Sequence, residues 1–177
     1  NRSCALWFKQ YKDGSDGAAY IFNFGDDTWG TGNQLGMWIN PAAANMQLYA
    51  MIHGGQPVHQ NKYELDTWNL AVATFTSASP SVQRIYLNGV LGTTTDGTVT
   101  IDMGTPTKLR LNRTNNGSGT GGTAPIYMSQ AGFWDGHLLT DSEVQAMWEL
   151  GPAGDWTIAQ GTGLEAYYGM GNHNELG

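Results

Sequence analysis

The chain has 177 residues, the length of one ordinary domain, and its 40% hydrophobic and 11% aromatic content is too apolar for a disordered segment. Only 13% of residues are charged while Gly numbers 25, a balance that favours strands joined by tight turns over a helical bundle. A net charge of −7 without any basic run excludes binding to nucleic acid by phosphate neutralisation, and no apolar stretch approaches the ~20 residues of a membrane-spanning helix.

Period-2 segments separated by turn residues recur along nearly the whole chain. The first is Cys4 to Tyr11, whose apolar run predicts a buried, inert thiol at Cys4, the one cysteine. After the turn residues Lys12-Asp13-Gly14-Ser15-Asp16-Gly17, Ala19 to Phe24 alternates with Tyr20, Phe22 and Phe24 on one face. A Gly/Asp-rich loop from Gly25 to Asn33 follows. In the next strand Leu35, Met37 and Ile39 point one way and Gly36, Trp38 and Asn40 the other. Beyond Pro41, Met46, Leu48, Ala50 and Ile52 face inward, and Gln47, Tyr49, Met51 and His53 face outward.

Trp68 to Phe75 is nearly unbroken in its apolarity, the mark of a strand covered on both faces. Its partner, Gln83 to Leu87, runs into Asn88-Gly89, a hairpin turn in which both residues accept positive φ. Val90 to Thr95 is the return strand, with further strands at Val99 to Met103, Lys108 to Asn112 and Ile126 to Trp134. The one convincing helix opens on a capping box, Thr140 with Glu143. It presents Val144, Met147 and Trp148 on one face and ends at Gly151-Pro152. Leu164 to Met170 is a last strand.

Three segments carry a resemblance to a known family. Ala5-Leu6-Trp7-Phe8-Lys9 is similar to its early strand. Trp68-Asn69-Leu70-Ala71-Val72-Ala73-Thr74-Phe75 through Tyr86-Leu87-Asn88-Gly89 is similar to its centre. Gly132-Phe133-Trp134 through Thr140 and Glu143-Val144 is similar to its closing strand-to-helix passage. Together they resemble the laminin-G-like jelly roll of the concanavalin A-like lectin/glucanase superfamily. The resemblance implies an all-β fold, a two-sheet antiparallel jelly-roll sandwich with one short C-terminal helix, and ligands held at the rim or on the concave face. It implies one jelly-roll domain over residues 1–177. Family members open on a strand that is missing before Asn1, and Leu164 to Met170 resembles that strand. The tail therefore either closes the same sandwich or opens a following segment; closure is expected, because an unpaired apolar edge invites aggregation. No signal-peptide pattern stands at Asn1, so the chain reads as a mature product or a fragment.

Glu64-Leu65-Asp66 resembles the start of the E-x-D-x-x-E strand motif of the superfamily's retaining glucanases, whose outer glutamates act as nucleophile and acid/base. The last position is Asn69 here, so no catalytic pair is expected. Sugar recognition asks for flat aromatic faces beside polar groups. Trp38, Tyr49 and His53 fall on the polar side of their strands with Asn23 and Asn40 nearby, and Trp29 lies in the Gly/Asp loop. Trp29, Trp38, Asn40, Tyr49 and His53 are the candidate ligand-binding residues, although a second sheet or a neighbouring subunit could equally cover those rings. Asp26 and Asp27, hard oxygen donors on a loop, are the candidate Ca²⁺ ligands, against the ordinary use of Asp-Gly in turns.

The expected function is that of a non-catalytic lectin-like module. It would recognise carbohydrate or another surface ligand within a secreted, surface-displayed or virion protein. A structural virion component (capsid decoration, tail or fibre), assembled as a homo-oligomer, fits the same composition. A glycoside hydrolase or polysaccharide lyase is a further alternative.

Overall fold

In the computed structural model, residues 1–11, 19–25, 34–40, 46–52, 58–78, 81–97, 108–112, 125–156 and 163–169 are described. They form strands β1 (Arg2–Gln10), β2 (Ala19–Gly25), β3 (Gln34–Ile39), β4 (Gln47–Ile52), β5 (Val58–Lys62) and β6 (Asn69–Phe75). Then come β7 (Ser81–Leu87), β8 (Val90–Gly97), β9 (Lys108–Leu111), β10 (Ile126–Asp135), helix α1 (Asp141–Leu150) and β11 (Leu164–Gly169). One antiparallel sheet has six strands in the order β11-β10-β1-β6-β7-β8, and the other has five in the order β5-β4-β3-β2-β9. This is the all-β sandwich that the sequence predicts. The expected strand at Val99 to Met103 lies outside the described residues.

In the six-stranded sheet β1 and β6 are covered on both faces, which explains their unbroken apolar runs. In β1, Cys4, Leu6 and Phe8 join the core between the sheets, while Ala5 and Trp7 face a second cluster under α1. In β6, Ala71, Ala73 and Phe75 face the main core and Leu70 and Val72 the second cluster. Trp7 stacks on Trp148 of α1 at 5.3 Å, and Trp134 and Trp156 complete this layer. Cys4 is fully buried, and loss of water around it pushes its thiol far above the ordinary range.

The hairpin and the helix follow their local signals. Asn88 and Gly89 have φ of 53° and 81°, and the Asn88 side chain accepts from the Leu70 amide at 2.8 Å, pinning the turn to β6. The α1 capping box is complete. The Glu143 amide donates to Thr140 Oγ1 at 3.3 Å, and Glu143 Oε2 accepts from the Thr140 amide at 2.7 Å. Val144 and Met147 are buried beneath the helix. The tail strand β11 pairs with β10 as the sheet's outer strand, Tyr167 opposite Gly132 and Ala166 opposite Phe133.

One sequence expectation needs correction, and one strand carries no sequence signal. Tyr20 does not share a face with Phe22 and Phe24. A register shift between Tyr20 and Phe22 sends Ile21 and Phe22 both into the core and turns Tyr20 outward. An extra residue in one strand reverses the alternation beyond it. Strand β5, Val58–Lys62, has no apolar alternation in its sequence, and its pairing with β4 defines it.

Candidate functional site

The outer face of the five-stranded sheet, opposite the core, gathers the aromatic residues that alternation turned outward. Leu35, Met37 and Ile39 of β3 and Leu48 and Ala50 of β4 are buried in the core, so Trp38 and Tyr49 project from the other side. Register brings them together: Tyr20 pairs with Trp38, Trp38 with Tyr49 and Tyr49 with His59. The Trp38 and Tyr49 rings lie 5.3 Å apart and 7° from parallel. Tyr20 meets Trp38 at 5.7 Å with a tilt of 39°. These are the offset geometries that aromatic pairs prefer, and the offset leaves part of each ring face open. All three rings are half-buried.

Polar groups border this ladder. The Tyr49 hydroxyl donates to Gln47 Oε1 at 2.6 Å, fixing the outer edge of that ring. Asn40 is tied to the scaffold by its backbone, its amide donating to Gln47 O at 2.9 Å and its carbonyl accepting from Tyr63 Oη at 3.2 Å. Tyr63 also bonds Gln10 of β1, so the Asn40 end of the sheet is anchored to the opposite sheet. Partial burial raises the pKa of the Tyr20 phenol.

Beside the aromatic row runs a second one, Gly36–Asn23–Arg110, in register across β3, β2 and β9. Gly36 is needed for space: a Cβ there would stand 2.9 Å from the Phe22 carbonyl and 3.4 Å from the Tyr20 ring. Asn23 is 2% exposed, and its Oδ1 has no hydrogen-bond partner among the described residues. Five other buried side-chain atoms among the described residues share this status, Gln130 Oε1 and the Trp7 indole nitrogen among them.

Of the residues expected at the site, the structure therefore joins Trp38 and Tyr49 directly and places Asn40 at the end of the same face. Trp29, His53, Asp26 and Asp27 lie outside the described residues. Sequence reasoning missed Tyr20, because the bulge hides its direction, and Arg110, because nothing local marks its strand as the neighbour of β2.

The glutamate-containing segment is built differently. Asn69 Nδ2 donates to the carbonyls of Glu64 at 2.9 Å and Thr67 at 2.8 Å, and its Oδ1 accepts from Asn88 Nδ2 at 3.1 Å. Asp66 adopts φ of 54° and pairs with Lys9 at 3.2 Å. At the position where a glucanase carries its second carboxylate, this chain has an amide that braces the entry to β6 and the Asn88-Gly89 turn.

Residues 1–161 match the family model described as the concanavalin A-like lectin/glucanases superfamily. The chain belongs to that superfamily. No curated protein matches it. Among solved structures, the CBM40 module of the Ruminococcus gnavus IT-sialidase bound to α2,3-sialyllactose is similar, with a TM-score of 0.61 at 14% identity, over 82% of this chain and 80% of that one. The heptameric SAP-like pentraxin from Limulus polyphemus has a TM-score of 0.64 at 16% identity, over 85% and 70% of the two chains. The Trypanosoma rangeli sialidase has a TM-score of 0.60 at 14% identity over 83% of this chain, which spans only 22% of that enzyme. At these identities the likeness is one of fold.

Proposed function

We propose that this chain is a non-catalytic carbohydrate-binding module that works outside the cell, with the outer face of the five-stranded sheet as its recognition surface. The observation that carries the reading is the Tyr20–Trp38–Tyr49 ladder, three half-buried rings in register on a sheet face that no described helix covers. Sugar rings present apolar C–H faces to such rings and hydroxyls to the flanking amides of Asn40 and Gln47. A similar fold carries sialyllactose in the Ruminococcus gnavus module, which accords with this use of the scaffold. The bracing role of Asn69 supports a binding rather than a hydrolytic reading of the Glu64 segment.

A glycan array tests the reading. The chain is expected to retain a defined set of glycans, and Trp38→Ala or Tyr49→Ala to weaken that binding roughly tenfold or more in a variant that circular dichroism shows to be folded at the assay temperature. An array on which nothing is retained, together with a stable homo-oligomer by light scattering, overturns it in favour of a structural role. Release of sugar products that Glu64→Gln abolishes would make the chain an enzyme.

A further inference from the structure

The charges of the five-stranded sheet run against those of the molecule. The whole chain has 15 Asp and Glu against 8 Lys and Arg. Within β2, β3, β4, β5 and β9 there is no Asp or Glu at all, whereas Lys62, Lys108 and Arg110 are all found there. All three share the face of the aromatic ladder. Leu109 and Leu111 pack on the core, so Lys108 and Arg110 project from the other side of β9. Lys62 pairs with Gln47, which lies on the same outer face as Tyr49. The rings thus stand between one cation on β5 and two on the edge strand β9. Arg110 is the register partner of Asn23, whose buried Oδ1 is unpartnered among the described residues.

We infer that this face takes an acidic glycan, with the Arg110 guanidinium on the anionic group. The inference rests on the carbohydrate-binding reading and narrows its ligand class. The physical case is local. A net-negative protein repels an anionic polymer at long range, so an acidic ligand gains only where the near field is reversed. On this sheet the described strands supply that reversal. Arginine presents five N–H donors in a planar fork, enough to serve a protein partner and a carboxylate or sulfate together. The aromatic ladder then holds the apolar face of the same sugar or of its neighbour, which a bare anion does not have.

The test is the full chain on an array with matched neutral, carboxylated (uronate and sialylated) and sulfated oligosaccharides, followed by calorimetry with trigalacturonate and its methyl ester. The expected result is preferential retention of acidic glycans, weakening as NaCl is raised. Arg110→Gln should cost roughly tenfold in affinity for them, with Arg110→Lys recovering part of the loss. Lys108→Gln, at an exposed position, gives a second variant should Arg110→Gln lower Tm. The carboxylated and sulfated arms identify which anion the fork holds. Neutral glycans bound as tightly as their acidic counterparts overturn this inference and leave the carbohydrate reading standing. Acidic glycans whose binding is unchanged in both Arg110→Gln and Lys108→Gln overturn the assigned position. Retention of no glycan of any kind overturns the carbohydrate reading itself.

Discussion

Asn69 shows how much one buried amide can hold. It is fully buried, donates to two carbonyls of the preceding turn and accepts from Asn88 at the far end of the β6–β7 hairpin. Asn69→Ala removes these three bonds and a fourth, accepted from the Glu64 amide at 3.4 Å, all of them part-buried, so a loss of about 1–3 kcal/mol in urea unfolding is expected. Glu64, exposed and joined to this network through its backbone, gives the contrast: Glu64→Gln should leave the urea midpoint unchanged. Cys4 makes a third residue-scale prediction. Burial raises its thiol pKa, so iodoacetamide should label it only after the protein unfolds. The Cys4 and Asn69 roles were legible in the sequence, one from its apolar run and one from the missing glutamate. The partners of Asn69 were not, because they come from the turn before β6 and the hairpin after β7.

Helix α1 depends on its first turn. Thr140→Ala removes the acceptor for the Glu143 amide and should cost about 1 kcal/mol, measurable as a lower Tm. The Glu143 carboxyl feels opposing influences. Burial favours its neutral form, but the Thr140 amide and hydroxyl and the His137 ring more than offset this, so its pKa is lowered. A carboxyl whose folded pKa is depressed contributes stability above its unfolded pKa of about 4.3 and loses it as pH falls through the lower folded value. Unfolding midpoints measured downward from about pH 5 should therefore fall more steeply for the wild type than for Glu143→Gln, which has no carboxyl to protonate. The capping box and the Asn88-Gly89 turn were readable because both are made by residues a few positions apart. The β2 bulge was not. Tyr20, Phe22 and Phe24 alternate perfectly in the sequence, and only the pairing of Tyr20 with Trp38 and Phe22 with Met37 reveals the extra residue.

At the scale of the molecule, β11 carries two layers at once. Ala166 packs against the main core, and Tyr167 lies 6.2 Å from Trp156 in the second cluster. Truncation before Leu164 should strip both contacts and leave the edge of β10 unpaired, giving a lower Tm and higher-order species in size-exclusion chromatography. The layered plan also explains where a ligand site can form. The six-stranded sheet spends its outer face on α1 and the tryptophan cluster, whereas the five-stranded sheet keeps Trp38, Tyr49 and Tyr20 on a face without a described helix.

By itself, the sequence determined the strands with regular alternation, the hairpin, the capped helix and the inward or outward direction of Trp38 and Tyr49. All of these depend on residues close together in the chain, where the period of a strand or the geometry of a turn dictates direction. Tertiary structure alone decided that Tyr20 completes the ladder, that Val58–Lys62 is a strand, and that β9 sets Arg110 beside Asn23. Register between distant strands makes those neighbours, and it is selected by burying one apolar face across the whole sandwich, a condition that no short segment can express.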